Sequence, residues 1–369
     1  MNKKIANFLR DDIDILKEYE VLDSKGLIKL DAMENPYEHE ISIETNITSS
    51  IDYQTTAFED YYGGYVNINR YPDANCDSLR GKLLKKYNLE KKYDCLIGNG
   101  SDELIQLICL SFLKPENKIL CPNPSFSMYK KIAQVLKFKF EEVMLLDNFS
   151  LDIEQMIKKI REIDPALIFL AYPNNPTGNL WSKDDIVQII KETNGIVVID
   201  EAYGAFSGES FLGEMNNFDN LLIMKTMSKV GLAGLRLGYL FGESSIIKQI
   251  NKLRLPFNIN SFSQKISELY TGDNDFIDAQ TKEIIKSREY MLDSMKKIKN
   301  IKVYPSKTNF ILFRILKGSA NIVFRSLLAD KLLVKNMSST PSLQNCLRVT
   351  VGTREENDIF IQSLKNSIN

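Results

Sequence analysis

The 369-residue chain reads as an α/β protein, with a large, mostly parallel seven-stranded sheet domain and a smaller α+β domain after it. Three observations predict this. Between residues 93 and 241, short apolar runs alternate with segments of helical spacing, as in strands joined by crossover helices. Several runs, Ile196-Val-Val-Ile among them, are apolar at every position, as a strand covered on both faces requires. The unusual polar clusters fall at the carboxyl ends of these runs, where an open parallel sheet binds its ligand.

In chain order, residues 1–28 are charged and amphipathic and predict a short helix and arm. A turn-bearing segment, Leu30 to Tyr37, and a polar stretch over 38–60 follow. Helical spacing begins at 78–87, capped by Asp77 or Ser78. Strands are then expected at 93–97, 118–121, 138–145, 166–171, 196–200, 221–224 and 237–241. Helices are expected at 104–113, from Phe126 through 136, at 151–163 and at 184–191. Beyond 248 the helices lengthen, with 263–270 and a lysine-rich helix around 283–297. Strands near 302–304, 309–314 and 346–351 and helices near 322–328 and from 355 make the smaller unit. The division is an N-terminal arm over 1–35, a large domain over 36–270 and a small one over 271–369.

Composition narrows the function. Lys and Arg number 47 against 48 Asp and Glu, so there is no basic footprint for nucleic acid or a membrane surface. The longest apolar runs are too short to span a bilayer, and the first residues lack an apolar signal core, which points to the cytoplasm. The five cysteines show no Cys-x-x-Cys spacing, and Cys95 and Cys109, in apolar surroundings, read as small core residues. His39 is the single histidine, which argues against a zinc site and leaves a Ser-His-Asp triad only that loop residue.

The chemistry centres on Leu221-Leu-Ile-Met-Lys-Thr226-Met-Ser228-Lys229, followed by Gly and then Arg236. A lysine just past a buried strand is partly desolvated, so its amine can be neutral and attack an aldehyde. The flanking hydroxyls and the guanidinium can hold a phosphate. Gly98-Asn-Gly-Ser101-Asp102-Glu opens a helix; it reads either as a phosphate seat or as a plain glycine turn with acids favouring the helix dipole. It is neither a P-loop nor a dinucleotide fingerprint. Phe126, where a loop enters a helix, can stack on a flat ring or simply pack in the core. Asn174-Asn175-Pro-Thr-Gly ends another strand with an amide free to donate. Asp200 enters a buried region behind four apolar residues and needs a cation, either a protonated ring nitrogen or an arginine. Tyr203 lies within reach of the same ligand. Arg348, inside the apolar run Cys346-Leu-Arg-Val-Thr-Val, calls for an anion such as a carboxylate or phosphate; Arg314 reads as structural.

Taken in order, Glu34-Asn-Pro-Tyr, Arg70-Tyr-Pro-Asp, Gly98 to Glu103, Tyr172-Pro-Asn-Asn-Pro-Thr-Gly, Asp200-Glu-Ala-Tyr, Ser228-Lys with Ala233-Gly-Leu-Arg, and Cys346 to Glu356 span nearly the whole chain. They resemble the fold-type-I, pyridoxal-phosphate-dependent aminotransferases, most closely the histidinol-phosphate branch. That resemblance implies a Schiff base at Lys229, which also moves the substrate proton. It implies Asp200 on the ring nitrogen, Asn175 and Tyr203 on the ring oxygen, and Phe126 stacked on the ring. The phosphate falls to the backbone at Ser101 and Asp102 with Thr226, Ser228 and Arg236, and to Tyr71 from a second subunit, so the active unit is a homodimer. Arg348 is implied to bind the carboxylate of glutamate and the phosphate of histidinol phosphate. Asn35 and Tyr37 are implied to close over substrate. Two departures stand out. The Lys229–Arg236 loop is one residue shorter than usual, and Lys335 stands where some members carry a second phosphate-binding arginine; it supplies a charge without a bidentate grip. The rivals are a decarboxylase or transaminase for another small phosphorylated compound, and a cofactor-binding regulator, for which the N-terminal arm lacks a helix-turn-helix.

Overall fold

The computed structural model describes residues 22–37, 69–89, 91–272 and 275–368, with Asp12 and Leu16. His39, the polar stretch over 38–60, the tyrosines at 61, 62 and 65, and most of the expected N-terminal helix lie outside the described residues.

After β1 (Ile28–Lys29), the large unit contains strands β2 (Tyr93–Asn99), β3 (Lys118–Asn123), β4 (Lys139–Met144), β5 (Leu167–Ala171), β6 (Ile196–Asp200), β7 (Leu221–Thr226) and β8 (Leu237–Glu243). Its helices are α1 (Asp77–Lys86), α2 (Gly100–Ser111), α3 (Ser127–Leu136), α4 (Ile153–Ile163), α5 (Lys183–Glu192) and α6 (Ser244–Asn251). The seven strands lie in the order β2-β8-β7-β6-β5-β3-β4. Pairing is parallel from β7 through β4, while β8 runs antiparallel to both β7 and β2.

Why the apolar runs become central strands is visible in β6. Val197 and Ile199 pack with Ile157 and Ile160 of α4 and Ile186 and Ile189 of α5. Ile196 and Val198 face the other way, onto Leu104 and Ile105 of α2 and Tyr129 and Ile132 of α3. Both faces are therefore buried, each such side chain contributing roughly 1.5–3 kcal/mol. Alternation with period two then sets Asp200 on the same face as Val198, toward α3.

The second unit follows α7 (Ser261–Tyr270) and α8 (Asp275–Lys296). It contains β9 (Ile301–Val303), β10 (Phe310–Ile315), α9 (Ala320–Ala329), β11 (Leu332–Leu333), β12 (Lys335–Asn336), β13 (Cys346–Thr350) and α10 (Arg354–Ile368). Its four-stranded antiparallel sheet has the order β12-β13-β10-β9. On α8, Ile284, Arg288, Met291, Leu292 and Met295 recur at helical spacing and are all buried, so the lysines occupy the opposite face.

Three expectations need correction. The cap of α1 is neither Asp77 nor Ser78: Cys76 takes the cap position at φ 53° without a side-chain bond, and Asp73 accepts the Asp77 N–H at 2.6 Å. The Pro72-Asp73 turn places that carboxylate a full turn upstream. The lysine-rich helix begins at Asp275 rather than near 283. The stretch expected as helix and arm ends in a strand just before the turn-bearing segment, β1 pairing in parallel with β11. Two-residue strands such as β1, β11 and β12 carry no periodicity of their own; pairing alone defines them.

Candidate active site

The carboxyl ends of β5, β6 and β7, the N-terminus of α2 and the entry to α3 surround a cavity of about 460 Å³. Its far wall comes from Lys29 and the turn Asp31-Ala-Met33, and from Lys335 and Arg348 of the small sheet. Ser101, Asp102, Phe126, Asn175, Asp200, Tyr203, Thr226, Ser228, Lys229, Arg236, Lys335 and Arg348, scattered over nearly 250 positions of sequence, all line this one space.

Asp200 ends β6 and is buried. One oxygen takes the Tyr129 hydroxyl at 2.6 Å and the other the Ala202 N–H at 3.0 Å. Burial pushes its carboxyl up to about 6; the Tyr129 and Ala202 hydrogen bonds pull the other way, and the charges of Asp102 and Glu201 add to the rise. Lys229 follows β7 in a short 3-10 turn, its Nζ 3.2 Å from the Ala32 carbonyl and 5.8 Å from the centre of the Tyr203 ring. Burial lowers its ammonium to about 8, with Arg348 adding repulsion and Glu34 and Asp102 opposing it. An amine near neutrality and a buried carboxylate with lone pairs to spare thus share one cavity.

The two asparagines after β5 divide the work. Asn174 donates to the Pro124 carbonyl at 3.0 Å and to Thr177 Oγ1 at 2.7 Å, which pins the loop. Asn175 enters the cavity, donating to the Tyr203 hydroxyl at 3.1 Å and accepting from Arg348 Nη1 at 2.5 Å. The second Arg348 nitrogen reaches the Asp31 carbonyl at 3.1 Å.

An anion seat lies at the opposite end. The Thr226 hydroxyl bonds the Leu237 carbonyl at 2.9 Å, accepts the Ser228 N–H at 3.1 Å and lies 3.0 Å from the Ser228 hydroxyl, so both hydroxyls are fixed at the end of β7. Arg236 adopts φ 54°, a left-handed conformation uncommon for a side chain of its size. A Cβ on Gly100 would lie 2.8 Å from Arg236 Nη2, and one on Gly238 would lie 2.6 Å from the Ser101 nitrogen. Glycine at both positions lets the start of α2 approach β8 and the guanidinium. The backbone N–H groups at the start of α2, two hydroxyls and an arginine together could hold a phosphate.

Three expected site residues lie away from this cavity. Tyr71 is 80% exposed and stacks on Phe257 at 4.5 Å. Asn35 donates to Gln280 of α8 at 2.9 Å, and Tyr37 packs against the small-sheet core; neither lines the cavity, because the turn after Met33 carries them over α8. Conversely, Tyr129, Asp31, Met33 and Lys29 were missed. Met33 sits at φ 54°, donating its N–H to Thr350 Oγ1, accepting from Asn309 through its carbonyl, and receiving the Tyr203 hydroxyl on sulfur at 3.6 Å. A methionine in a turn gives no warning of such a role. Tyr129 lies three residues after Phe126 on a helix entering from a strand end, the one signal that could have found it. Asp200 has this hydroxyl and a backbone N–H for partners among the described residues, rather than the arginine weighed for it.

The family model described as aminotransferase class I and II matches residues 27–364, and the chain belongs to that family: it is a pyridoxal-phosphate-dependent enzyme of fold type I. Within the family, histidinol-phosphate aminotransferase 2 of Nitrosococcus oceani is 41% identical over 363 residues, covering 98% of each chain. The histidinol-phosphate aminotransferase of Vesicomyosocius okutanii is 40% identical over 357 residues, 97% of each. The crystal structure of the histidinol-phosphate aminotransferase from Clostridium acetobutylicum superposes with a TM-score of 0.77 at 28% identity, covering 82% of this chain and 92% of that one. Pyridoxal phosphate fits the cavity's own chemistry: a near-neutral amine for its aldehyde, a buried carboxylate with free acceptor capacity, and a glycine-lined anion seat.

Proposed function

We propose that the chain transfers an amino group from L-glutamate to imidazole-acetol phosphate, yielding 2-oxoglutarate and L-histidinol phosphate, a step of histidine biosynthesis. The observation that carries this reading is the meeting of Lys229, Asp200 and Arg348 around one cavity; the near-full-length identity to histidinol-phosphate aminotransferases supports the choice of substrate.

When bound, pyridoxal phosphate supplies an aldehyde and an electron-withdrawing ring. Lys229 is the residue proposed to hold the aldehyde, and its amine would move a proton between the substrate α-carbon and the cofactor carbon C4′. Asp200 would pair with the ring nitrogen, Asn175 and Tyr203 would hold the ring oxygen, and Phe126 would stack on the ring. Ser101, Asp102, Thr226, Ser228 and Arg236 hold the phosphate, and Tyr71 reaches it from the partner subunit of a homodimer; the exposure of the Tyr71 ring supports that assignment. Arg348 binds the glutamate carboxylate and the phosphate of the second substrate in turn, which its planar guanidinium can do because each offers two oxygens to the same fork. Lys335, directly opposite Arg348 in the β12–β13 register, adds charge for the phosphate. Asn35 and Tyr37 belong to the segment that closes over substrate. We place the large domain at 36–270 and the small one at 271–369, after an arm over 1–35. The enzyme is assigned to the cytoplasm; among the described residues no helix is long and apolar enough to cross a membrane.

The test is an absorbance scan of the cofactor-loaded protein. Histidinol phosphate is expected to bleach the yellow band and 2-oxoglutarate to restore it, while phosphoserine and aromatic amino acids leave it in place. Bleaching by another amine alone would move the substrate, release of carbon dioxide would make the protein a decarboxylase, and failure to take up the cofactor would overturn both.

A further inference from the structure

We propose that Tyr129 is a positioning residue for Asp200, its hydroxyl holding the carboxylate ionised and aimed for a cationic ring nitrogen. The inference rests on reading Asp200 as the partner of the cofactor's pyridine. Tyr129 and Asp200 come from different elements, α3 and the end of β6, and both are buried. Their oxygens meet at 2.6 Å. The phenol ring is clamped: it stacks on Phe169 at 4.8 Å and 16°, and meets Phe126 edge-on at 5.4 Å and 86°. A phenylalanine would fill the same space, so packing alone gives no reason for the hydroxyl. A buried hydroxyl needs a partner, and this one is given the carboxylate.

The charged and titratable groups facing Asp200 are Asp102 on α2, Glu201 next in sequence, and the Tyr129 hydroxyl; Tyr203 interacts with Tyr129 from the far side. The two acids and burial favour the protonated carboxyl. Among the described residues, the Tyr129 hydroxyl and the Ala202 N–H stand against them. Without the hydroxyl, Asp200 keeps its proton to higher pH, and a cationic ring must then expel that proton in order to bind. The same bond fixes which lone pairs point into the cavity, because the oxygen it occupies cannot rotate away.

The experiment compares wild type, Tyr129→Phe, Asp200→Asn and the double variant. Two quantities are followed across pH: the dissociation constant for pyridoxal phosphate, from absorbance, and thermal unfolding of the cofactor-free proteins. Asp200 titrates above its ordinary value in the folded chain, so cofactor-free stability falls as pH rises through the window between the unfolded and folded values. Tyr129→Phe is expected to extend that fall upward by roughly one to two pH units, and to raise by as much the pH below which cofactor affinity weakens. In the Asp200→Asn background, loss of the hydroxyl is expected to shift neither profile. A loss of stability or affinity that is uniform in pH means that Tyr129 only packs, and overturns the proposal. If Asp200→Asn itself binds the cofactor with wild-type affinity and pH profile, the reading of Asp200 fails, and the inference with it. Should Tyr129→Phe not fold, NMR of isotope-labelled tyrosine in the cofactor-free wild type decides. The Tyr129 ring signal is expected to move as Asp200 titrates, and its invariance overturns the proposal.

Discussion

Lys229 loses water on entering the cavity and gains a neighbour of its own sign in Arg348, and its ammonium falls to about 8 in consequence. For an amine the depressed value enlarges the neutral, reactive fraction. Covalent capture of pyridoxal phosphate is therefore expected to accelerate as pH rises through about 8 and to level off above it, where an ordinary lysine would keep accelerating to about 10.4. Stopped-flow absorbance measures this, and Lys229→Ala removes the capture altogether. Lys229 and Asp200 were legible in the sequence because each stands at the end of an apolar run, where a charged side chain demands an explanation. Tyr129 was not, because its partner lies 71 residues away and only the docking of α3 on the sheet brings the two together. Asn35 and Tyr37 show the converse: a recognisable motif names a segment without saying which of its side chains face inward.

At the scale of elements, the close approach of α2 to β8 shapes the anion seat. A methyl at Gly238 would meet the Ser101 nitrogen at 2.6 Å and the Gly100 carbonyl carbon at 2.7 Å, backbone atoms that cannot step aside as a side chain would. Gly238→Ala is expected to destabilise the cofactor-free protein by about 1–3 kcal/mol and, by pushing the start of α2 outward, to weaken cofactor binding as well. Calorimetry and a cofactor titration check the two effects; an unchanged affinity would show that the seat does not depend on this contact. The alternation of strands and helices was readable because burial on both faces leaves a continuous apolar signature. The antiparallel course of β8 and the cap of α1 were not, since the first is set by the path of the 227–236 turn and the second by a carboxylate outside the helix.

The molecule as a whole builds its site from two sheets, and Arg348 is the side chain that reaches across. Rooted in β13, it bonds Asn175 of the large unit and the Asp31 carbonyl. Arg348→Lys keeps the charge and loses the fork. It is expected to lower kcat/KM for both substrates by between about ten- and a hundredfold, with little change in cofactor affinity. A loss confined to one substrate would mean that the two do not share this residue. The sequence marked Arg348 as a costly charge in a strand, but gave no hint that it closes on Asn175, a contact only the packing of the two units creates.

The turn at residues 31–33 is held by groups translated long after it. Its Met33 N–H and Asp31 carbonyl bond partners 317 residues further along the chain, in β13, a strand made long after the turn itself. A growing chain thus has its lysine and its carboxylate in place while the wall that encloses them is still unmade. The cavity is enclosed only once β13 has been made, so a product cut short before that strand exposes the amine without the pocket that governs it.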